Sequence, residues 1–168
     1  KMYTVKNPAE LQSYLDAFLP SVSEQTVDNT YRAFLWLAFS GVNEQDSVKI
    51  TPDNINFDSM LISYNGYDYP IYDESVDAFK SCIENTRFVY NHGNFSVVVY
   101  RDREDGNNIL RGTKSKNPDR LLTKLCTELS RKQKKALDAG QIKKTLNYKK
   151  VANSGIFYRA YQIEQKGY

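Results

Sequence analysis

The sequence predicts a mainly α-helical fold with a small antiparallel β portion, of the α+β type. Two Asn-Pro pairs, beginning at Asn7 and Asn117, each precede apolar residues at helical spacing. Asparagine is a favoured N-cap and proline a favoured first helical residue, so both pairs predict helix starts. The dipeptide Asn65-Gly66 lies between β-prone segments and is a strong signal for a two-residue hairpin turn.

The composition is that of one folded domain. The chain has 168 residues, of which 40% are hydrophobic and 26% charged. These values exclude collagen-like, coiled-coil and wholly disordered chains. No apolar run reaches the ~20 residues that span a bilayer, and the N-terminus has no apolar signal region. We therefore expect a single cytoplasmic domain over residues 1–168.

Apolar residues at helical spacing predict five helices. The second contains the only tryptophan, Trp36, and is apolar almost all round from residue 31 to 39. A helix without a polar face is buried, so we expect it to be the central core helix. The predicted helices cover residues 7–20, 26–41, 73–86, 117–140 and 153–165.

A hairpin and one further strand are predicted. Ile62 precedes the Asn65-Gly66 turn, and Tyr67, Tyr69 and Ile71 alternate out of it as the returning strand. The run from Phe95 to Tyr100 is rich in β-branched and aromatic residues and predicts a further strand. A charged loop over 101–108 is expected to follow it.

Charge is divided unequally along the chain. Residues 1–110 contain 8 Lys and Arg against 16 Asp and Glu, a balance of −8. Residues 111–168 contain 15 against 4, a balance of +11, and the whole chain carries +3. Such asymmetry indicates a polyanion partner for the basic portion. Two alternatives stay open: the lysines only keep a helix face in solution, or they pair internally with the acidic portion.

The sequence gives little support for a C-x-x-C site, a metal site or a glycine-rich phosphate-binding loop. Cys82 and Cys126 are too far apart for a C-x-x-C site and are expected to be small buried residues. His92 is the only histidine, in an expected loop context with no cysteine nearby, which disfavours zinc. Neither glycine-rich phosphate-binding motif occurs. The carboxylates of the 101–108 loop alternate with arginines, which favours a solvated loop. We expect no metal and no cofactor.

Four short sequence segments between residues 27 and 72 form a series with a characteristic order and spacing. The apolar run over 34–46 ends in SGVNEQD, residues 50–57 read ITPDNINF, and MLI and YPI follow at 60–62 and 69–71. This series resembles the start of the catalytic domain of tyrosine recombinases, the phage integrase family. There T-G-[LM]-R-x-x-E, a short helix, x-x-D-[IV]-[DN]-F and a hairpin that closes on V-P-[IL] succeed one another. A shorter resemblance aligns SGIFYRA, at 154–160, with the family's H-x-L-R box.

The resemblance implies a helical integrase catalytic-domain-like fold, with duplex DNA and other integrase-type proteins as partners. It also implies site-specific recombination or integration as the related activity. Matched residue by residue, Arg159 corresponds to the arginine of the box and Asp46 to the acidic residue of the first motif. The family's first catalytic arginine falls at Asn43, and the histidine of the box falls at Ile156. The hairpin over 62–71 has no lysine, although the family usually carries a catalytic one there.

The nucleophilic tyrosine of the family lies tens of residues beyond the box. Tyr161 and Tyr168 are too close to the box to serve without reshaping the site, and no segment corresponds to an N-terminal core-binding domain. We therefore expect an integrase-like DNA-binding domain of a phage or mobile element, inactive as this chain. A 1–110 acidic portion would carry the core helix and hairpin, and a 111–168 portion the basic helices. The alternatives are a protein-interaction module on a decayed integrase fold, whose acidic portion docks on a basic partner, and a fragment of an active recombinase.

Lysines and arginines of the basic portion are expected to contact backbone phosphates. The expected contacts are Arg111, Lys114, Lys116, Arg131, Lys132, Lys134, Lys135, Lys143, Lys144, Lys149 and Lys150.

Overall fold

The computed structural model of the chain describes residues 5–19, 28–84, 87–92, 95–100, 107–110 and 117–166. The fold is mainly α with a little β, as predicted. Two single 3₁₀ turns cover Pro52–Asn54 and Asp73–Ser75. The helices are α1 (Pro8–Phe18), α2 (Asp28–Ser40), α3 (Glu44–Ser47), α4 (Val76–Glu84), α5 (Pro118–Asp138) and α6 (Tyr148–Gln165). The strands are β1 (Ile55–Asn56), β2 (Leu61–Tyr64), β3 (Tyr67–Pro70), β4 (Arg87–His92) and β5 (Phe95–Tyr100).

Asparagine side chains cap the helices α1, α5 and α6. The Oδ1 atom of Asn7 accepts the Glu10 N–H at 2.8 Å, and that of Asn117 accepts the Asp119 N–H at 2.9 Å. Both caps were predicted from the Asn-Pro pairs. The start expected for α6 at residue 153 was wrong, because Asn147 caps the helix by accepting the Lys150 N–H at 2.8 Å. This cap lacks the following proline that marked the other two.

The core lies around α2, as predicted. Tyr31 and every residue from Ala33 to Phe39 are buried, and α4 and α6 pack against this helix. The ring of Phe34 lies 4.8 Å from that of Tyr148, measured between centroids. At the crossing with α6, a Cβ added to Gly155 would lie 1.9 Å from the Phe39 carbonyl oxygen. Only glycine therefore allows α6 to approach α2 this closely.

The three-stranded sheet contains the predicted hairpin. Strand β2 pairs antiparallel with β1 and with β3, and Tyr64 lies opposite Tyr67. Asn65 and Gly66 have φ values of 53° and 85°, so both central residues of the turn are left-handed, as a type I′ turn requires. The register of β2 with β3 is thus fixed by this turn.

Strand β5 was also predicted, but its partner was not. Residues of β4 pair with it from Arg87 opposite Tyr100 to His92 opposite Phe95. The loop context expected for His92 was therefore wrong, since this residue ends a strand. The helix expected over 73–86 begins as a 3₁₀ turn and is α-helical over Val76–Glu84, and residues 85–86 lie outside the described residues.

The two cysteines are free, and they differ in burial. Cys82 is buried as expected, whereas Cys126 is only half-buried on α5. Across the described part of the chain, no group of three or more His, Cys, Asp or Glu side chains could hold a metal ion. No helix in those same ranges has the length and apolarity needed to cross a membrane.

Candidate nucleic-acid interface

Helix α5 has one buried face and one basic face. Leu121, Leu125 and Leu129 point into the core together with Gln133 and Ala136. At about 100° per residue, the cations of the opposite face lie about 140° to 240° from Leu129 around the axis, over a length of about 22 Å. We call this set of exposed residues the basic stripe. It consists of Arg120, Lys124, Arg131, Lys134 and Lys135.

Most of the basic stripe has no internal counter-charge. Arg131 is the exception, because its Nη2 lies 2.5 Å from Glu128 Oε2, and this contact raises the pKa of the guanidinium. Among the residues that the structure describes, the other four cations of the stripe form no ion pair. Their charge is therefore available to an external anion.

Lys132 is placed differently from its neighbours. Its Nζ lies 3.7 Å from Asp28 Oδ1 and 5.6 Å from the centre of the Tyr31 ring, and the side chain is only 30% exposed. An ion pair and a cation–π contact thus hold the ammonium group against α2. The charge of Lys132 is therefore already compensated within the fold. This is one instance of the internal pairing between the basic and acidic portions that the charge pattern left open. A phosphate contact at Lys132 would have to break both interactions.

Four further lysines lie near the start of α6. Lys143 and Lys144 are exposed in the connection from α5, and Lys149 and Lys150 are exposed in the first turn of α6. We call residues 143–150 the lysine loop. That first turn holds no acidic residue, so the positive end of the helix dipole and two ammonium groups reinforce each other. Lys144 is partly compensated, with its Nζ 3.8 Å from Glu10 Oε1.

The remaining expected phosphate contacts, Arg111, Lys114 and Lys116, lie outside the described residues. The sequence-based list also omitted Arg120 and Lys124, which belong to the basic stripe. Their signal was present in the sequence, because 120, 124, 131 and 135 recur at helical spacing on the side opposite Leu121 and Leu125.

Arg159 is a half-buried residue of α6 that lies at the end of α2. Its Nη1 donates to the Phe39 carbonyl oxygen and lies 3.2 Å from the Tyr72 hydroxyl. A Cβ added to Gly41, whose φ is 102°, would lie 3.2 Å from Nη2. The guanidinium thus meets the carboxyl end of a helix, where a cation is stabilised. Within the described ranges it forms no ion pair with a carboxylate.

The other residues aligned with the integrase motif surround the same corner. Asn43 is exposed and caps α3, with its Oδ1 accepting the Gln45 N–H at 3.0 Å. Asp46 is half-buried near Tyr69, whose hydroxyl pKa is raised by burial and then by that carboxylate. The Tyr69 ring in turn lies 3.6 Å from the Cβ position of Gly41. The fold therefore brings Arg159 and Asp46 to one corner, although 112 residues separate them in sequence.

The position aligned with the family's histidine and the first tyrosine beyond the box are both exposed to solvent. Ile156 and Tyr161 are 56% and 58% exposed on α6. Asn43, which aligns with the family's first arginine, carries no charge. Comparison of the chain with protein-family models, with curated proteins and with solved structures gives no match.

Proposed function

We propose that this protein is an integrase-like, duplex-DNA-binding domain of a phage or mobile element, without recombination chemistry in this chain. The observation that carries the proposal is the basic stripe of α5, whose cations face away from the core with almost no internal partner. The lysine loop adds further exposed cations. The proposal includes a cytoplasmic location, where such DNA is met.

Net charge in this region supports a polyanion as the partner. Residues 117–166 contain 12 Lys and Arg against 4 Asp and Glu, a balance of +8. A duplex carries phosphates every ~3.4 Å along each strand, so a stripe about 22 Å long extends over roughly six base pairs. Bound cations displace condensed counterions, and this release supplies the affinity. Phosphate contacts position a protein without reading bases, so we expect binding with little sequence preference.

The corner around Gly41 supports binding without chemistry. Phosphoryl transfer needs cations arranged in advance around the reacting phosphate. The Arg159 guanidinium is hydrogen-bonded to the Phe39 carbonyl oxygen, and Asn43 is an uncharged helix cap. The residue aligned with the family's histidine, Ile156, has no proton to transfer. This arrangement favours a domain that holds DNA and does not cleave it.

The proposal is tested by measuring how salt changes the affinity. Fluorescence anisotropy with a labelled duplex of about 25 base pairs, at four salt concentrations, gives the slope of log K against log salt. Roughly four to seven phosphate contacts predict a slope of about −4 to −6. A scrambled duplex should bind equally well. A flat slope, or no binding near 0.1 M salt, ends the DNA-binding proposal.

A second candidate function is docking onto a basic protein partner, and an acidic cleft favours it. The cleft lies between α1, α2 and α4 and has a volume of about 710 Å³, within the range of ligand sites. Both of its cations are engaged: Arg32 lies 3.5 Å from Asp16, and Lys80 lies over the Phe57 ring. Among the described residues, three carboxylates that line the cleft form no ion pair. They belong to Glu74, Asp77 and Glu84.

This candidate is tested with a lysine- and arginine-rich peptide of about 12 residues. Replacing Glu74, Asp77 and Glu84 with their amides should abolish peptide binding if the cleft is the site. The same variant should bind duplex DNA at least as tightly as the native protein, because it removes negative charge. Equal peptide binding by the variant and the native protein refutes the cleft as a docking site.

A further inference from the structure

The connection between α5 and α6 carries two lysines of the lysine loop but has no regular secondary structure over residues 139–147. Two apolar anchors, Ile142 and Leu146, are buried within it. Its backbone polar groups need partners to be held in one conformation. Carbonyl groups of α5 bind the backbone N–H groups of residues 139–141, and two buried side chains, Gln133 of α5 and Tyr14 of α1, bind the backbone of Lys144 and Leu146.

Gln133 is 2% exposed, and its carboxamide is used completely. Oε1 accepts the Leu146 N–H at 2.6 Å, and Nε2 donates to the Leu146 carbonyl at 2.8 Å. Nε2 also donates to the Leu129 carbonyl at 3.3 Å, within α5 itself. The side chain thus pairs with both backbone groups of one residue, as a neighbouring strand would. It connects the loop directly to the part of α5 that carries Lys134 and Lys135.

Tyr14 of α1 also binds this loop. Its hydroxyl lies between two acceptors, Gln133 Oε1 and the Lys144 carbonyl oxygen, the latter at 2.9 Å. Burial raises the pKa of this hydroxyl, so it remains a donor through the physiological range. The one hydroxyl hydrogen of Tyr14 is therefore shared between the Gln133 carboxamide and the backbone carbonyl of Lys144.

We propose that Tyr14 and Gln133 are positioning residues of the DNA interface, which fix the backbone of residues 144–146 so that the lysine loop presents its charges beside the end of the basic stripe. The inference rests on the proposed function of DNA binding. Neither side chain is expected to touch a phosphate, since both are buried. Their effect reaches DNA only through the lysines that they hold in place.

The test uses the full chain with Tyr14→Phe, which removes one hydroxyl and keeps the ring, and with Gln133→Leu as a stronger variant. We expect the Leu146 amide to exchange its hydrogen faster in both. The salt slope for duplex DNA should become less negative by about one to two units, as for the loss of one or two phosphate contacts. At 0.1 M salt each lost contact weakens binding by about 8-fold.

A control variant separates positioning from a general loss of stability. Phe79 is fully buried on α4, and Phe79→Leu should lower thermal stability while leaving the salt slope and the exchange of Leu146 unchanged. If Tyr14→Phe and Gln133→Leu leave the slope unchanged while the native protein binds DNA, the positioning role is refuted and the proposed function stands. If the Leu146 amide stays protected in both variants, the two side chains do not hold the loop. If the native protein does not bind DNA, the proposed function fails first and the positioning role fails with it.

Discussion

Replacing Lys134 and Lys135 with glutamine should remove charge from the proposed DNA interface with little effect on the fold. Both side chains are exposed and lie opposite the buried face of α5. Surface substitutions of this kind usually change the free energy of unfolding by less than about 0.5 kcal/mol. Each phosphate contact contributes about 0.9 to the slope of log K against log salt. The double variant should therefore flatten the slope by about one to two units and weaken binding about 8- to 60-fold at 0.1 M salt.

The neighbouring residue supplies a matched control for this experiment. Lys132→Gln removes the same charge from the same helix, but the native ammonium is held by Asp28 and the Tyr31 ring. Its loss should change the salt slope by less than about 0.5 units. The assay is fluorescence anisotropy on one duplex over the same four salt concentrations, with the melting temperature of each variant measured in parallel. If Lys132→Gln flattens the slope as much as each stripe lysine does, affinity follows total charge and the assignment of the stripe is wrong.

Three further outcomes follow from the structure. Phe34→Ala empties a fully buried site against Tyr148 and should cost about 3–5 kcal/mol in urea unfolding; a loss below about 1 kcal/mol would contradict the place of α2 in the core. Glu10→Gln releases Lys144 from its carboxylate and should tighten duplex binding several-fold in the anisotropy assay, so that unchanged binding would exclude Lys144 from the interface. A nicked suicide substrate should form no covalent phosphotyrosyl adduct with this chain, and an SDS-resistant adduct mapped to Tyr161 or Tyr168 would instead support an active recombinase.

The parts of the fold that could be predicted are those with a local signal. The Asn-Pro pairs and the Asn65-Gly66 turn act within a few residues of themselves, so they predicted two helix starts and a hairpin. The start of α6 was misplaced because Asn147 caps the helix without a proline to mark it. Strand β4 was missed because its assignment depends on pairing with β5, and pairing is a property of two segments rather than one.

The residues of the candidate site also divide into those with a local sequence signal and those without one. The basic stripe follows from helical periodicity alone, and Arg120 and Lys124 could have been included on that basis. The capture of Lys132 by Asp28 could not have been predicted, because the two residues are 104 positions apart in the chain. The hydrogen bonds of Gln133 could not have been predicted either. A glutamine among lysines suggests a solvent-exposed position, whereas Gln133 is buried.

The corner around Gly41 shows what the residues aligned with the integrase motif do in this fold. The close crossing at Gly155 brings Arg159, one helical turn further along α6, onto the last carbonyl groups of α2. There the guanidinium closes a helix end and also contacts the Tyr72 hydroxyl. Asn43 likewise uses its side chain to begin α3. Residues aligned with the family's catalytic set thus stabilise the architecture, while the exposed cations of the proposed DNA interface lie on α5 and in the lysine loop. Because the two groups are separate, substitutions in the basic stripe should change DNA affinity without changing stability, and Arg159→Ala should lower stability first.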